Sequence, residues 1–196
     1  MRLGILLIGH IDATVPLHIQ QSLVRILPDL ECLIISEVVP LLKRAFDMKR
    51  KQYRSNLMLD EMQAYGAQRK DLDCILGVVD ADIFVPELNF VFGEACFPGK
   101  GALISLWRLK PEFYGDAPDE AIFLSRVVKE AVHEIGHTLG LRHCFRSSCV
   151  MHFSNSIFDT DIKQTMPCDE CYTKAAIRID SLRLLSEKFH SQVDDH

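Results

Sequence analysis

The chain carries no excess of basic residues: 22 Lys and Arg stand against 27 Asp and Glu, a formal net charge of −5. A general nucleic-acid or anionic-membrane binder needs a basic surplus, so neither class fits. Long apolar runs are missing as well. The opening stretch Leu3–Ile8 is interrupted by Gly4 and falls far short of the roughly 20 residues that span a bilayer. No small-residue cleavage pattern follows it, so it does not read as a signal peptide, and a cytoplasmic protein is expected. Internal repeats and low-complexity segments are absent, and 48% apolar with 25% charged residues is ordinary globular usage. Disorder, collagen and coiled coil are excluded. With 196 residues the chain has room for a single domain that buries roughly 70% of its unfolded surface without staples.

Seven cysteines require an account. An odd count in a cytoplasmic chain does not suggest a disulfide framework. Cys32, Cys74 and Cys96 sit in apolar runs, where a free cysteine acts as a small core residue. Cys144, Cys149, Cys168 and Cys171 are different, because they cluster and include a C-x-x-C. Such clustering points to metal.

Residues 2–8, 32–39 and 74–79 are short, continuous apolar runs that predict buried strands. Between the first two, Ile19, Leu23, Ile26 and Leu27 recur at helical spacing from Pro16 to Pro28. This β-α-β order predicts a parallel pair with a right-handed crossover. Residues 57–69 predict a second helix. Phe90–Phe97 and Ala102–Leu106 predict two further strands joined by a Pro-Gly-Lys-Gly turn, with a short extension at 83–85 before them. The basic stretch Lys43–Arg54 reads as a solvated loop, with a site for an acidic substrate segment as the competing reading. Thr173–Phe189 carries a helical stripe (Ala176, Ile179, Leu182, Leu185, Phe189) ahead of a solvated tail. Strands interleaved with helices, then a helix and a cysteine-rich stretch, predict an α/β domain with a metal-bound C-terminal lobe.

The informative segment runs from His133 to His143. It closes a helix that starts at Asp116 or Asp119 with Pro118 and keeps an apolar stripe through Leu124, Val127, Val128, Ala131, Val132, Ile135 and Leu139. On that helix His133 and His137 lie one turn apart on one face and can close on one ion at about 2.0–2.1 Å. Glu134 is rotated off that face, so it can meet a water on the ion without being a ligand. Gly140 can take a left-handed conformation at the helix end, turning the chain so that His143 returns as third ligand. Three imidazoles leave a fourth, open position, the arrangement of a catalytic zinc. Five fixed positions of this kind match by chance on the order of 10⁻⁵ times per chain.

H-E-x-x-H-x-x-G-x-x-H is the metzincin metalloprotease motif. The continuation, Cys144 directly after the third His, Cys149, Val150-Met151 and then Cys168-x-x-Cys171, resembles the archaemetzincins. Asn89–Ala95 and Ile104–Leu109 also resemble that family. The resemblance implies a compact metzincin-like α/β fold with a mixed, mostly parallel twisted sheet, a long active-site helix and a small Cys₄-zinc C-terminal lobe. It implies two zinc ions, one catalytic on His133, His137 and His143 and one structural, with Met151 as the Met-turn residue packing beneath the imidazoles. Four cysteines suit a closed tetrahedral thiolate site that staples the segment after the helix to the last helix. The competing reading, two redox pairs, lacks a thioredoxin-like strand-helix context around Cys168. Residues 1–143 would form the subdomain with the sheet and active-site helix, and 144–196 the subdomain with the Met-turn and cysteine site.

The expected function is zinc-dependent hydrolysis of peptide bonds, with Glu134 as general base and an extended peptide substrate pairing with an edge strand at 89–97. No segment is spare for an inhibitory propeptide, and a monomer is favoured. Two other readings remain: a metal-binding protein whose His₃ site is weakly occupied, and a zinc-ribbon adaptor, which has no use for Glu134 or Gly140. A thermolysin-like arrangement is disfavoured because His143 already supplies the third ligand. His10, His18, His190 and His196 receive no role, while a transition-state role for His152 or Tyr172 is open.

Overall fold

The computed structural model describes residues 1–191, with side chains to residue 184. Five strands form the main sheet: β1 (Arg2–Ile8), β2 (Glu31–Val39), β5 (Cys74–Val79), β7 (Gly93–Ala95) and β8 (Gly101–Ser105), in the order β2-β1-β5-β8-β7. The first three pairings in that order are parallel, while β7 runs antiparallel to β8 at one edge. Helices cover both faces, which is why the parallel strands read as unbroken apolar runs. On one face Leu3, Ile5, Leu76, Val78, Ala102 and Ile104 pack against helices α1 (Thr14–Ile26) and α3 (Glu120–Thr138). On the other, Leu6, Ile8, Ile75, Val79 and Leu103 pack with Met58, Leu59 and Met62 of α2 (Ser55–Gln68). The sheet and its helices are therefore those the sequence predicts, with β7 shorter than expected and β8 starting one residue earlier.

The basic stretch departs from its reading as a solvated loop. It forms a single 3₁₀ turn and strands β3 (Phe46–Asp47) and β4 (Gln52–Arg54), which join β6 (Ile83–Phe84) in a second, three-stranded sheet. Strands this short carry no readable alternation. Arg50 donates to the carbonyls of Leu88 and Asn89, each at 2.8 Å, and Gln52 donates to Asn89 O at 3.0 Å. The hairpin thus fixes the chain leading into β7.

Helix α3 starts at the Asp119 cap, whose carboxylate accepts from Ile122 N at 2.9 Å. The stripe model predicts one apolar face, but residues 126–136 are buried all round, including Arg126, Lys129 and Glu130. Their charges are satisfied by the segment that follows the histidines. Arg126 makes a bidentate pair with Asp161 at 2.7 Å, Lys129 donates to the carbonyls of Thr160 and Asp161, and Lys163 pairs with Glu130 at 3.2 Å. That segment includes helix α4 (Ile157–Ile162), opened by a Ser156–Asp159 capping box. Helix α5 (Asp169–Ser191) starts earlier than the sequence stripe suggests and takes in Cys171. Ala175 and Ile179 of α5 are buried. The side chains of Leu185, Phe189 and His190, and the tail with His196, lie outside the described residues. No helix among the described residues is long and apolar enough to cross a membrane.

Candidate metal centre and catalytic cleft

Helix α3 places His133 and His137 one turn apart, and their rings lie 4.7 Å centroid to centroid. The helix stops as the glycine requires: Gly140 takes φ +87° and Leu141 N–H closes onto Gly136 O. The chain then returns His143, whose ring is 5.3 Å from His133 and 4.8 Å from His137. One nitrogen from each ring falls within 4.8 Å of the others.

Backbone carbonyls set the tautomers. His133 Nδ1–H donates to Val150 O at 2.8 Å and His137 Nδ1–H to Leu141 O at 2.7 Å. Both Nε2 atoms are consequently bare lone pairs, and they face each other at 3.1 Å. Two acceptors at that distance repel unless a cation lies between them. A tetrahedral zinc with bonds of about 2.0–2.1 Å separates its ligands by roughly 3.3 Å, so the donor set fits that ion. Burial holds His133 well below the ordinary imidazole value, with the charges of Lys163 and His137 acting in the same sense. His137 and His143 are lowered mainly by burial. Neutral imidazoles are the form that binds metal.

Glu134 is buried beside this cluster, between α3 and the edge strand. The fit is tight, since a Cβ on Gly93 would lie 2.6 Å from Glu134 Cγ and 2.7 Å from its Oε1. Burial, and after it the nearby Glu130, push the Glu134 carboxyl well above the usual carboxylate range, while Lys163 opposes this. A cation held by the imidazoles would also favour the ionised form. Met151 is fully buried with its sulfur against Gly136, where a side-chain carbon would overlap it. It thus packs under the turn between the two helical histidines.

A cleft of about 440 Å³ runs past these groups. One wall is the strip from Leu88 to Ala95, the floor is Glu130, His133, Glu134 and His137, and the far wall is Phe153–Asn155 with His143. Phe153 contacts the His143 ring at 5.0 Å between centroids. Neither His152 nor Tyr172 is among the lining residues; His152 Nδ1–H instead donates to Cys144 O at 2.8 Å.

The four clustered cysteines also converge, with sulfurs within 4.8 Å of one another and Cys144 Sγ 3.8 Å from Cys168 Sγ. That separation matches the roughly 3.8 Å expected for thiolates on one zinc with bonds near 2.3 Å. All four are free thiols, and the Cys168 backbone N–H donates to Cys149 Sγ at 3.2 Å. Backbone and side-chain hydrogen bonds, that from Cys171 foremost, lower Cys168 to about 7, whereas burial pushes Cys149 and Cys171 up. Ionising more than one of these sulfurs at this spacing would need a cation among them. His10 and His18 lie outside both clusters.

Sequence reasoning missed three contributors: the Glu130–Lys163 pair under the cleft, Gly93 against Glu134, and Phe153 against His143. The first two pairs are far apart in sequence, and no motif links any of the three. Gly93 alone left a signal, as the small residue in the run Asn89–Ala95.

The sequence model of peptidase family M54 matches residues 20–176. An archaemetzincin of Pyrococcus abyssi is 49% identical over 135 residues, covering 67% of this chain and 70% of that protein. One of Methanocaldococcus jannaschii is 48% identical over 130 residues, 66% of this chain and 69% of its own length. Among solved structures, the archaemetzincin of Methanopyrus kandleri superposes with a TM-score of 0.80 at 31% identity, covering 92% of this chain and 96% of that one.

Proposed function

The chain belongs to peptidase family M54, the archaemetzincins, and is a zinc metallopeptidase; within that activity, we propose that His133, His137 and His143 hold the catalytic zinc and that Glu134 is the general base. The observation that carries the ligand assignment is the pair of Nε2 lone pairs facing each other at 3.1 Å, each fixed by a carbonyl on the opposite side of its ring. Zinc supplies Lewis acidity there, polarising a scissile carbonyl and acidifying a water. The protein's own contribution is positional. Val150 O and Leu141 O lock two rings, and Phe153 packs against the third. The Glu134 carboxylate, pressed between α3 and β7, accepts the proton of the attacking water and returns it to the leaving amine. Burial of that carboxylate raises its proton affinity, which suits a base that must also act as an acid.

The substrate is a peptide. It lies extended along the free edge of β7, whose other edge is taken by β8, and adds to the sheet through backbone hydrogen bonds. Cys144, Cys149, Cys168 and Cys171 hold a second, structural zinc that ties the loop after α3 to the start of α5. Residues 1–143 and the described part of 144–196 are then the two subdomains that build the cleft.

The test is Glu134→Gln, which keeps side-chain size and removes the base. Peptide hydrolysis should fall by about 10²–10⁴-fold while zinc per chain stays at the wild-type value. His137→Ala should lose zinc from one site together with activity. Cleavage by Glu134→Gln at the wild-type rate would overturn the assignment.

A further inference from the structure

Among the described residues, two buried side-chain polar atoms have no hydrogen-bond partner: Glu94 Oε2 and Ser154 Oγ. Both residues line the cleft, one from β7 and the other from the opposite wall. Folded proteins pair nearly all such atoms, so each of these two oxygens marks a place where a donor is wanting. Besides the histidines, the ionisable side chains lining the cleft are Glu94, Glu130 and Glu134, all carboxylates. Glu130 is already matched by Lys163, and Glu134 is assigned to the water. Glu94 Oε2 is left shielded and without a donor.

Strand geometry says where a donor would come from. Side chains alternate along β7, and the Gly93 position faces Glu134, so Glu94 projects to the other face of the sheet. There it meets Ser55 at the start of α2. A substrate strand paired to the β7 edge directs alternate side chains to that same face. Neighbours across such a pair lie about 4.5–5.5 Å apart at Cβ. The surroundings are hostile to an isolated carboxylate. Burial raises Glu94, the neighbouring Ser55 opposes the shift, and Asp60 and Glu87 reinforce it. A cationic donor relieves the missing hydrogen bond and the repulsion together.

We propose that Glu94 is a specificity-determining residue, selecting peptides that place an amine or guanidinium cation beside β7. The cation is either a Lys or Arg side chain or the substrate's own N-terminal ammonium. The proposal rests on the peptidase reading and on edge-strand binding.

Two peptide sets test it by fluorescence anisotropy on the zinc-loaded Glu134→Gln protein. In the first, both termini are blocked and a single Arg or its neutral isostere citrulline is scanned along the sequence. In the second, the N-terminus is free or acetylated. A hydrogen bond to a charged group corresponds to roughly ten- to hundredfold in affinity. Tighter binding of that size is expected at one Arg position in the first set, or for the free amine in the second, and the responding set identifies the source. Adding Glu94→Gln should abolish the preference and leave the affinity of the neutral peptide within about twofold. Equal binding of charged and neutral peptides in both sets overturns the proposal, with no variant needed. So does a preference that survives Glu94→Gln. Cleavage of the neutral peptides by wild type is scored separately, so a failure of the peptidase reading is distinguishable from a failure of this one.

Discussion

Gly93→Ala tests whether the close approach of the edge strand to Glu134 matters for catalysis. A Cβ built at Gly93 lies 2.6 Å from Glu134 Cγ, 2.7 Å from its Oε1 and 2.8 Å from Leu103 O. Carbon contacts are comfortable at about 3.5–4.0 Å, so something must yield by roughly 1 Å. The carboxylate is the softer neighbour, whereas Leu103 O belongs to the backbone of β8 next door. The expected result is a displaced Glu134 and a slightly opened β7–β8 ladder. Overpacking of this kind costs about 1–3 kcal/mol. Misplacing a catalytic group by 1 Å costs on the order of 10²-fold in rate. Hydrolysis, zinc per chain and thermal unfolding should therefore separate: activity down about a hundredfold, metal unchanged, and a modest drop in Tm. Gly115→Ala is the control. That glycine has φ +88° with nothing near its Cβ, so its cost is backbone strain of about 1–2 kcal/mol without a change in kcat. A Gly93→Ala protein with kcat within twofold of wild type would refute the positioning argument.

Chelation should remove two zinc ions in two phases. The His₃ site, with the exposed His143, should empty first, and the Cys₄ site, with Cys149 and Cys171 buried, should empty only as the C-terminal segment unfolds. A zinc-sensitive dye read alongside circular dichroism checks this, and a single common rate contradicts it. Cys168→Ser should lower the melting temperature and the zinc content; a variant that keeps both at wild-type values removes the structural role. Lys163→Met should strip Glu130 of its charge partner in a fully buried position. Breaking a buried pair costs about 3–5 kcal/mol. Denaturant unfolding reads the loss, most of which should return in Lys163→Met with Glu130→Leu. A single variant as stable as wild type would show that the pair carries no such weight.

The convergence of both side-chain clusters was legible in the sequence because residue spacing is a local property. His133 and His137 need only a helix, and Gly140 announces the turn that returns His143. Strands β1 and β5 were legible because strands covered on both faces demand continuous apolar runs, and the edge strand β2 was legible from its run Cys32–Ile35 although it is partly exposed. What remained hidden depends on partners distant in the chain. Arg126, Lys129 and Glu130 lie off the apolar stripe of α3, where nothing local signals burial, yet Asp161, Thr160 and Lys163 satisfy them as they are buried. The basic hairpin was unreadable for a similar reason: strands of two or three residues show no period, and Arg50 acts on carbonyls of residues 88 and 89.

The adjacency of His143 and Cys144 gives the two clusters a mechanical relation. His133 and His137 are fixed twice, by the helix and by a carbonyl on Nδ1. His143 follows the helix and is exposed, with ring packing against Phe153 and the other imidazoles to hold it. Its next residue, however, is tied at three points. Cys144 N–H donates to Met151 O at 2.8 Å, Cys144 O accepts from His152, and Cys144 Sγ joins the thiol cluster. Fixing one residue's backbone costs about 1–2 kcal/mol of conformational entropy, which a ligand on a free loop would have to supply when it binds. Under the proposed assignment the Cys₄ ion meets that cost at the neighbouring peptide. The same loop carries Val150, which orients His133, and Met151, which fills the space under Gly136. A segment with little secondary structure can therefore present a third ligand, because its sulfurs restrain it where hydrogen-bonded ladders do not.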